Sequence, residues 1–192
     1  EPFLYNLFSD PAIIRLPRPL RLCVAGRISR RRAPIAQDIY RQIGGKSPIV
    51  EQTQAQARAL QEALSDLGQV RVFTAMRYWH PRSDATALEV RGYAPDSIML
   101  LPLYPQFSTT TVKSSLVDWY GAARNVGLVA PRVTSVALCC YATAEGFIDA
   151  QCELIAPLLK EAGARAPVRL LLSAHGLPER IVKRGDPYAW QV

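Results

Sequence analysis

The stretch Val168-Arg169-Leu170-Leu171-Leu172-Ser173-Ala174-His175-Gly176-Leu177-Pro178 sets an apolar run directly ahead of a histidine, a glycine and a proline. Its first part predicts a buried strand over 168–173, and Gly176 and Pro178 predict that the chain turns away at the strand's carboxyl end. Open α/β sheets bind ligands and do chemistry at that end. His175 is therefore the first candidate functional residue. The other histidine, His80, follows Arg77-Tyr78-Trp79 and precedes Pro81, a second expected strand end. Two such imidazoles are able to face one cleft.

The residues upstream alternate in the same manner. A helix is expected over 51–67, where Ala57, Leu60, Leu64 and Leu67 recur at helical spacing and Gly68 supplies the stop. An apolar strand follows over 70–75, then a helix over 82–90 and a strand over 97–103. The rest reads as a helix over 110–125, a strand over 133–139 and a long helix over 143–162 carrying Phe147, Ile148, Leu154, Ile155, Leu158 and Leu159. Strands apolar on both faces and separated by helices predict an α/β fold, a parallel sheet flanked by helices. Residues 1–45 differ: Phe3, Leu4, Leu7, Phe8, Ile13 and Ile14 form an amphipathic stretch, suited to core packing or to an apolar lip over a ligand.

Composition narrows the function classes. With 192 residues and 49% hydrophobic content the chain can bury a substantial core, which excludes intrinsic disorder. No apolar run reaches the ~18 residues of a membrane span, and no signal-peptide pattern opens the chain. Cys23, Cys139, Cys140 and Cys152 form no C-x-x-C pair and read as reduced, mostly buried thiols of a cytoplasmic protein. The net charge of +7 is concentrated in Arg15, Arg18, Arg21, Arg27, Arg30, Arg31 and Arg32. Guanidinium groups grip carboxylates and phosphates in pairs, so the cluster is either a solvated face or a site for an anionic partner. Nucleic acid is not expected, because no recognition motif or interleaved aromatic series accompanies the charge. A nucleotide site is equally unsupported, since no G-x-G-x-x-G or Walker-type loop follows any strand.

Several motifs together carry a resemblance. Ser173-Ala174-His175-Gly176-Leu177-Pro178, Gly185-Asp186-Pro187-Tyr188, Leu101-Pro102-Leu103-Tyr104-Pro105-Gln106-Phe107-Ser108, Ile43-Gly44-Gly45, Ser47-Pro48 and Phe3-Leu4-Tyr5-Asn6-Leu7-Phe8 occur in the order found in ferrochelatases. These enzymes place ferrous iron into protoporphyrin in the last step of haem synthesis, and the chain resembles them over residues 2–192. The resemblance implies two similar Rossmann-like halves with the porphyrin held between them. This chain is then expected to be the N-terminal half, 1–192, with 1–45 as apolar lip and arginine-rich segment, 46–192 as the alternating part, and the second domain missing.

By the same resemblance His175 is the catalytic and metal-binding residue. Arg32, Tyr40 and Ser47 are porphyrin contacts, Arg77 and Tyr78 lie deeper in the cleft, and Leu4 and Leu7 stand on the apolar lip. The propionates of a porphyrin become the candidate anion for the arginine cluster. The implied partners are protoporphyrin and ferrous iron; a peripheral membrane contact is compatible with the resemblance.

The chemistry suits these residue types. Metal insertion requires that pyrrole protons leave, that the ring bend, and that iron shed its water. A neutral imidazole can accept a proton near neutral pH or ligate iron. Bending is driven by binding in a large apolar pocket with a few fixed polar contacts.

The chain also departs from the family pattern. Lys46 and Lys113 stand where glycines are usual, so those loops are expected to differ locally. Thr109 occupies the position at which some members carry an iron–sulphur ligand cysteine, so no cluster is expected and no cofactor beyond the substrate iron. Lacking the second half and its acidic residue, the 192 residues alone are expected to fold as one half with little or no chelatase activity. The alternatives are a non-catalytic tetrapyrrole- or metal-binding module and a related chelatase acting on another macrocycle or on a metal such as cobalt.

Overall fold

The computed structural model describes residues 1–192. In chain order its elements are α1 (Pro2–Phe8), α2 (Arg18–Arg41), α3 (Ile49–Ala63), α4 (Ser83–Tyr93), β1 (Ser97–Leu100), α5 (Val112–Asn125), β2 (Thr134–Ala137), α6 (Glu145–Gly163), α7 (Glu179–Val182) and α8 (Tyr188–Gln191). The fold is mixed α/β. Thr134 N donates to Asp96 O at 3.4 Å and Leu138 N to Leu100 O at 2.9 Å, a constant offset that makes β1 and β2 a parallel pair. The strands are shorter than the expected 97–103 and 133–139. Pro102 and Pro105 offer no N–H beyond Leu101, which stops the first of them.

Two compact units divide the chain: Glu1–Ile98 with Val117–Thr134, and Met99–Leu116 with Ser135–Val192. In the first unit α1 packs on α2. The arginine-rich segment is helical because its prolines fall where a helix tolerates them at its start, Pro17 as N-cap and Pro19 in the first turn; Pro34 lies inside. Ala25, Ser29 and Ala33, four residues apart, form the buried stripe of α2, and the space beside Gly26 is bounded by the Tyr5 ring at 3.9 Å. Arg27, Arg30, Arg31 and Arg32 face solvent. Arg21 does not serve as a free cation; its guanidinium donates to Ser9 O at 2.9 Å and Leu16 O at 2.7 Å, fixing the entry to α2. Ala87 and Val90 of α4, Trp119 and Ala123 of α5, and Leu128 and Val133 complete this unit's buried apolar set.

The strand expected over 70–75 is not formed. The segment is bonded mainly by side chains. Val72 N donates to Gln61 Oε1 at 2.9 Å, Thr86 Oγ1 donates to Thr74 O at 2.9 Å, and Tyr93 OH donates to Gln69 O at 3.0 Å. Side chains of α3 and α4 thus meet the demand that a neighbouring strand would otherwise satisfy. Arg71 adds a cap, its guanidinium 4.9 Å from the Phe73 ring centroid and 5.6 Å from that of Tyr93.

In the second unit the strand expected over 168–173 is also absent. No neighbouring strand offers it a ladder, and Leu171 and Leu172 are 82% and 83% exposed. Leu154 and Leu158 of α6 are likewise in solvent. Val112 and Ile181 are the unit's buried apolar side chains. The cysteines correct another expectation: they are free thiols, but Cys23, Cys139 and Cys152 are exposed and Cys140 half-buried. Cys152 is exposed because it lies on α6, most of whose side chains stay in solvent. No helix is long and apolar enough to cross a membrane.

Candidate functional site

Two buried carboxylates organise the polar chemistry, one in each unit. Asp10 follows the last turn of α1, 4% exposed. Its Oδ1 accepts Ala12 N at 2.8 Å, the local turn that Ser9-Asp10-Pro11 favours. Its Oδ2 accepts Arg77 Nη2 at 2.9 Å and Tyr78 OH at 2.7 Å. Arg77 Nη1 lies 3.4 Å from Asp118 Oδ1, while Asp118 Oδ2 accepts Ser83 Oγ at 2.7 Å. Asn6 Nδ2 donates to Tyr78 O at 3.0 Å, and the Phe3 ring meets Tyr78 edge-on at 6.3 Å. A buried charge is tolerated only when paired and hydrogen-bonded, and this network satisfies both conditions for Asp10.

The consequence for Arg77 is electrostatic. Its guanidinium is shared between two carboxylates and stacked 4.8 Å from the Tyr78 centroid, so within this chain it is a compensated charge. Arg32 is different: it is exposed on α2, with only the Phe8 ring at 6.0 Å beside it. Leu4 and Leu7 are half-buried on α1, the same helix whose Phe3 and Asn6 contact Tyr78. Tyr40 is exposed near the end of α2, and Ser47 Oγ accepts Ile49 N at 3.3 Å at the start of α3. His80 is exposed, with its ring edge-on to Trp79 at 5.5 Å.

His175 belongs to the second unit, whereas Leu4, Leu7, Arg32, Tyr40, Ser47, Arg77 and Tyr78 all belong to the first. It is exposed, in a segment without regular secondary structure between Ala174 and Gly176. The imidazole is not sealed in a core.

The second carboxylate, Asp186, is 6% exposed. Its Oδ2 accepts Ser108 Oγ at 3.0 Å, Thr109 N at 2.7 Å and Thr109 Oγ1 at 2.7 Å, and its Oδ1 accepts Tyr188 N at 3.1 Å. Burial works against its ionisation, but the Thr109 hydroxyl and N–H, the Tyr188 N–H and the Ser108 hydroxyl together outweigh it and hold the carboxyl below its ordinary range. Gln191 Oε1 also accepts Phe107 N at 2.6 Å, so the segment around Ser108 is tied to the chain's last turn twice over. Thr109 thus has a clear structural role.

The family model for ferrochelatase matches residues 1–192. The chain belongs to the ferrochelatase family. It is 48% identical to a ferrochelatase of Hyphomonas neptunium, 47% to one of Phenylobacterium zucineum and 46% to one of Caulobacter vibrioides. Each match covers 100% of this chain and 53%, 55% and 54% of the respective relative. The chain therefore spans about half the length of the curated ferrochelatases it matches.

Asp10, Asp118 and Asp186 lie outside the site residues that the sequence predicts. Asp10 carries a local turn signal, yet its partners lie 67 and 68 residues away. Asp186 sits in the Gly185-Asp186-Pro187-Tyr188 motif, but nothing local shows that its partners stand 77 and 78 residues upstream.

Proposed function

We propose that this chain supplies the first half of a ferrochelatase that inserts ferrous iron into protoporphyrin to form haem. The family match over residues 1–192 carries the reading. An accessible imidazole at His175 and an uncompensated guanidinium at Arg32 support it.

In this reading His175 serves the metal step, taking a pyrrole proton or meeting the iron with a nitrogen lone pair. Arg32 pairs with a porphyrin propionate. Leu4, Leu7, Tyr40 and Tyr78 present apolar and aromatic surface to the ring, with Ser47 adding a polar contact. Arg77 lies with Tyr78 deeper in the cleft as a substrate contact, its charge balanced by Asp10 and Asp118 and its guanidinium stacked on the Tyr78 ring. Asp10 is then a positioning residue for both.

Iron enters as substrate in this account, which includes no resident iron–sulphur cluster; Thr109 spends its hydroxyl on Asp186 instead. Residues 1–192 make up the first half of the protein in this reading, and a second half provides the acidic group opposite His175. The protein acts in the cytoplasm, and a peripheral membrane contact is compatible with this reading.

The test is porphyrin metalation under anaerobic conditions. The complete protein is expected to convert protoporphyrin to haem on addition of ferrous iron, followed by absorbance, while residues 1–192 alone do not. Porphyrin binding by the complete protein without insertion of iron would overturn the reading in favour of a binding module. Insertion of cobalt but not iron would overturn the metal assignment.

A further inference from the structure

Cys139 and Cys140 follow β2 directly, and their sulfurs lie together. Cys140 Sγ is 3.0 Å from Cys139 Sγ, although successive side chains of an extended strand point to opposite faces. The backbone has left the strand pattern here and is held on both flanks, by Leu138 N to Leu100 O at 2.9 Å and Tyr141 N to Pro105 O at 2.9 Å. Cys139 is exposed, so the pair is reachable from solvent.

Three fates for such a pair can be compared by geometry. A disulfide normally needs Cα atoms at least ~4.4 Å apart, whereas adjacent Cα atoms across a trans peptide stand ~3.8 Å apart. The Cys139–Cys140 peptide is not among the cis bonds, so oxidation to a vicinal bridge is sterically opposed. Tetrahedral zinc, with Zn–S bonds of ~2.3 Å, sets its sulfurs ~3.8 Å apart and calls for four ligands. Among the described residues no group of three or more histidine, cysteine, aspartate or glutamate side chains could complete such a site. A pyramidal trivalent centre with bonds of similar length and an angle near a right angle needs only two thiols, ~3.3 Å apart. The observed spacing of 3.0 Å is nearer to the last of these than to the zinc value.

We propose that Cys139 and Cys140 form a two-thiol capture site for trivalent thiophilic centres, of which an organic arsenic(III) oxide is the chemical type. Both S–H bonds break and two As–S bonds form, and the arsenic-bound oxygen leaves as water carrying both protons. Arsenic stays trivalent, so no oxidant or reductant is required. The second thiol attaches intramolecularly from the adjoining residue, which is the source of the site's strength.

The experiment titrates the complete protein with phenylarsine oxide and reads the adduct by intact mass and peptide mapping. One arsenical is expected across residues 139 and 140, retained against excess monothiol and released by a small dithiol. Cys139→Ser and Cys140→Ser should each weaken retention about 100-fold, because each leaves a single attachment. Cys23→Ser and Cys152→Ser should leave it unchanged. Mapping of the adduct to any other cysteine would overturn the proposal, and the unmodified protein answers that question without a variant. Release of the wild-type adduct by monothiol alone would do the same.

Discussion

Replacing Asp10 by asparagine removes one charge and keeps the shape, which makes it the sharpest probe of the network around Arg77. The Arg77–Asp10 pair is close, 2.9 Å, with side chains 17% and 3% exposed, so it falls in the class where losing one partner costs about 3–5 kcal/mol. Asp118 at 3.4 Å remains as a second partner for Arg77, which places Asp10→Asn at the lower end, about 3 kcal/mol. Asp10→Ala also strips Tyr78 OH and Ala12 N of their acceptor, adding about 1 kcal/mol each. Urea unfolding, followed by the fluorescence of buried Trp119, measures the loss. With a slope of about 2 kcal/mol per molar, Asp10→Asn should move the midpoint down by about 1.5 M. In a double-mutant cycle with Arg77→Met the coupling should reach about 2 kcal/mol. A midpoint shift below about 0.3 M, or additive single effects, would refute the view that Asp10 anchors Arg77.

Asp186 gives a prediction with a pH signature. Its folded-state pKa is lowered, so its contribution is complete above the unfolded carboxylate value of about 3.9 and fades as pH falls through the folded one. Urea midpoints measured from about pH 6 to about pH 3 should therefore decline in the wild type, and Asp186→Asn should lack part of that decline while being less stable at the upper end. Arg32→Ala, exposed and free of any carboxylate, should weaken porphyrin binding by about ten- to a hundredfold in fluorescence titrations with no change in the urea midpoint. Gly185 has φ +87, and beyond its two chain neighbours no atom lies within 4 Å of the point where a β-carbon would stand, so Gly185→Ala should cost only the backbone term, about 1–2 kcal/mol by thermal unfolding.

Helices were the legible part of this fold because their hydrophobic period is written within a few turns. The expected helices over 82–90, 110–125 and 143–162 correspond to Ser83–Tyr93, Val112–Asn125 and Glu145–Gly163. The one expected over 51–67 ends early, at Ala63, and tightens into a 3₁₀ turn over Ser65–Leu67. Strands depend on partners elsewhere in the chain. Residues 70–75 and 168–173 are as apolar as β1, yet one is bonded by the side chains of Gln61, Thr86 and Tyr93, and the other has no neighbouring strand.

The helix α2 lacks a legible signal for the opposite reason. Its arginines and prolines draw attention to charge and turns, while the buried Ala25, Ser29 and Ala33 stripe is built from small residues that leave little hydrophobic signal. The site divides along the same line. His175 stands out because glycine and proline flank it locally, whereas Asp10 and Asp186 acquire their roles through bonds that span the chain.

The most direct measurement is single-turnover iron insertion by the complete protein carrying His175→Ala, read beside its affinity for free-base porphyrin. Insertion should fall at least about 100-fold while porphyrin affinity stays within about twofold of wild type. Wild-type insertion rates in that variant, or an equal loss of binding and insertion, would contradict the assignment of His175 to the metal step.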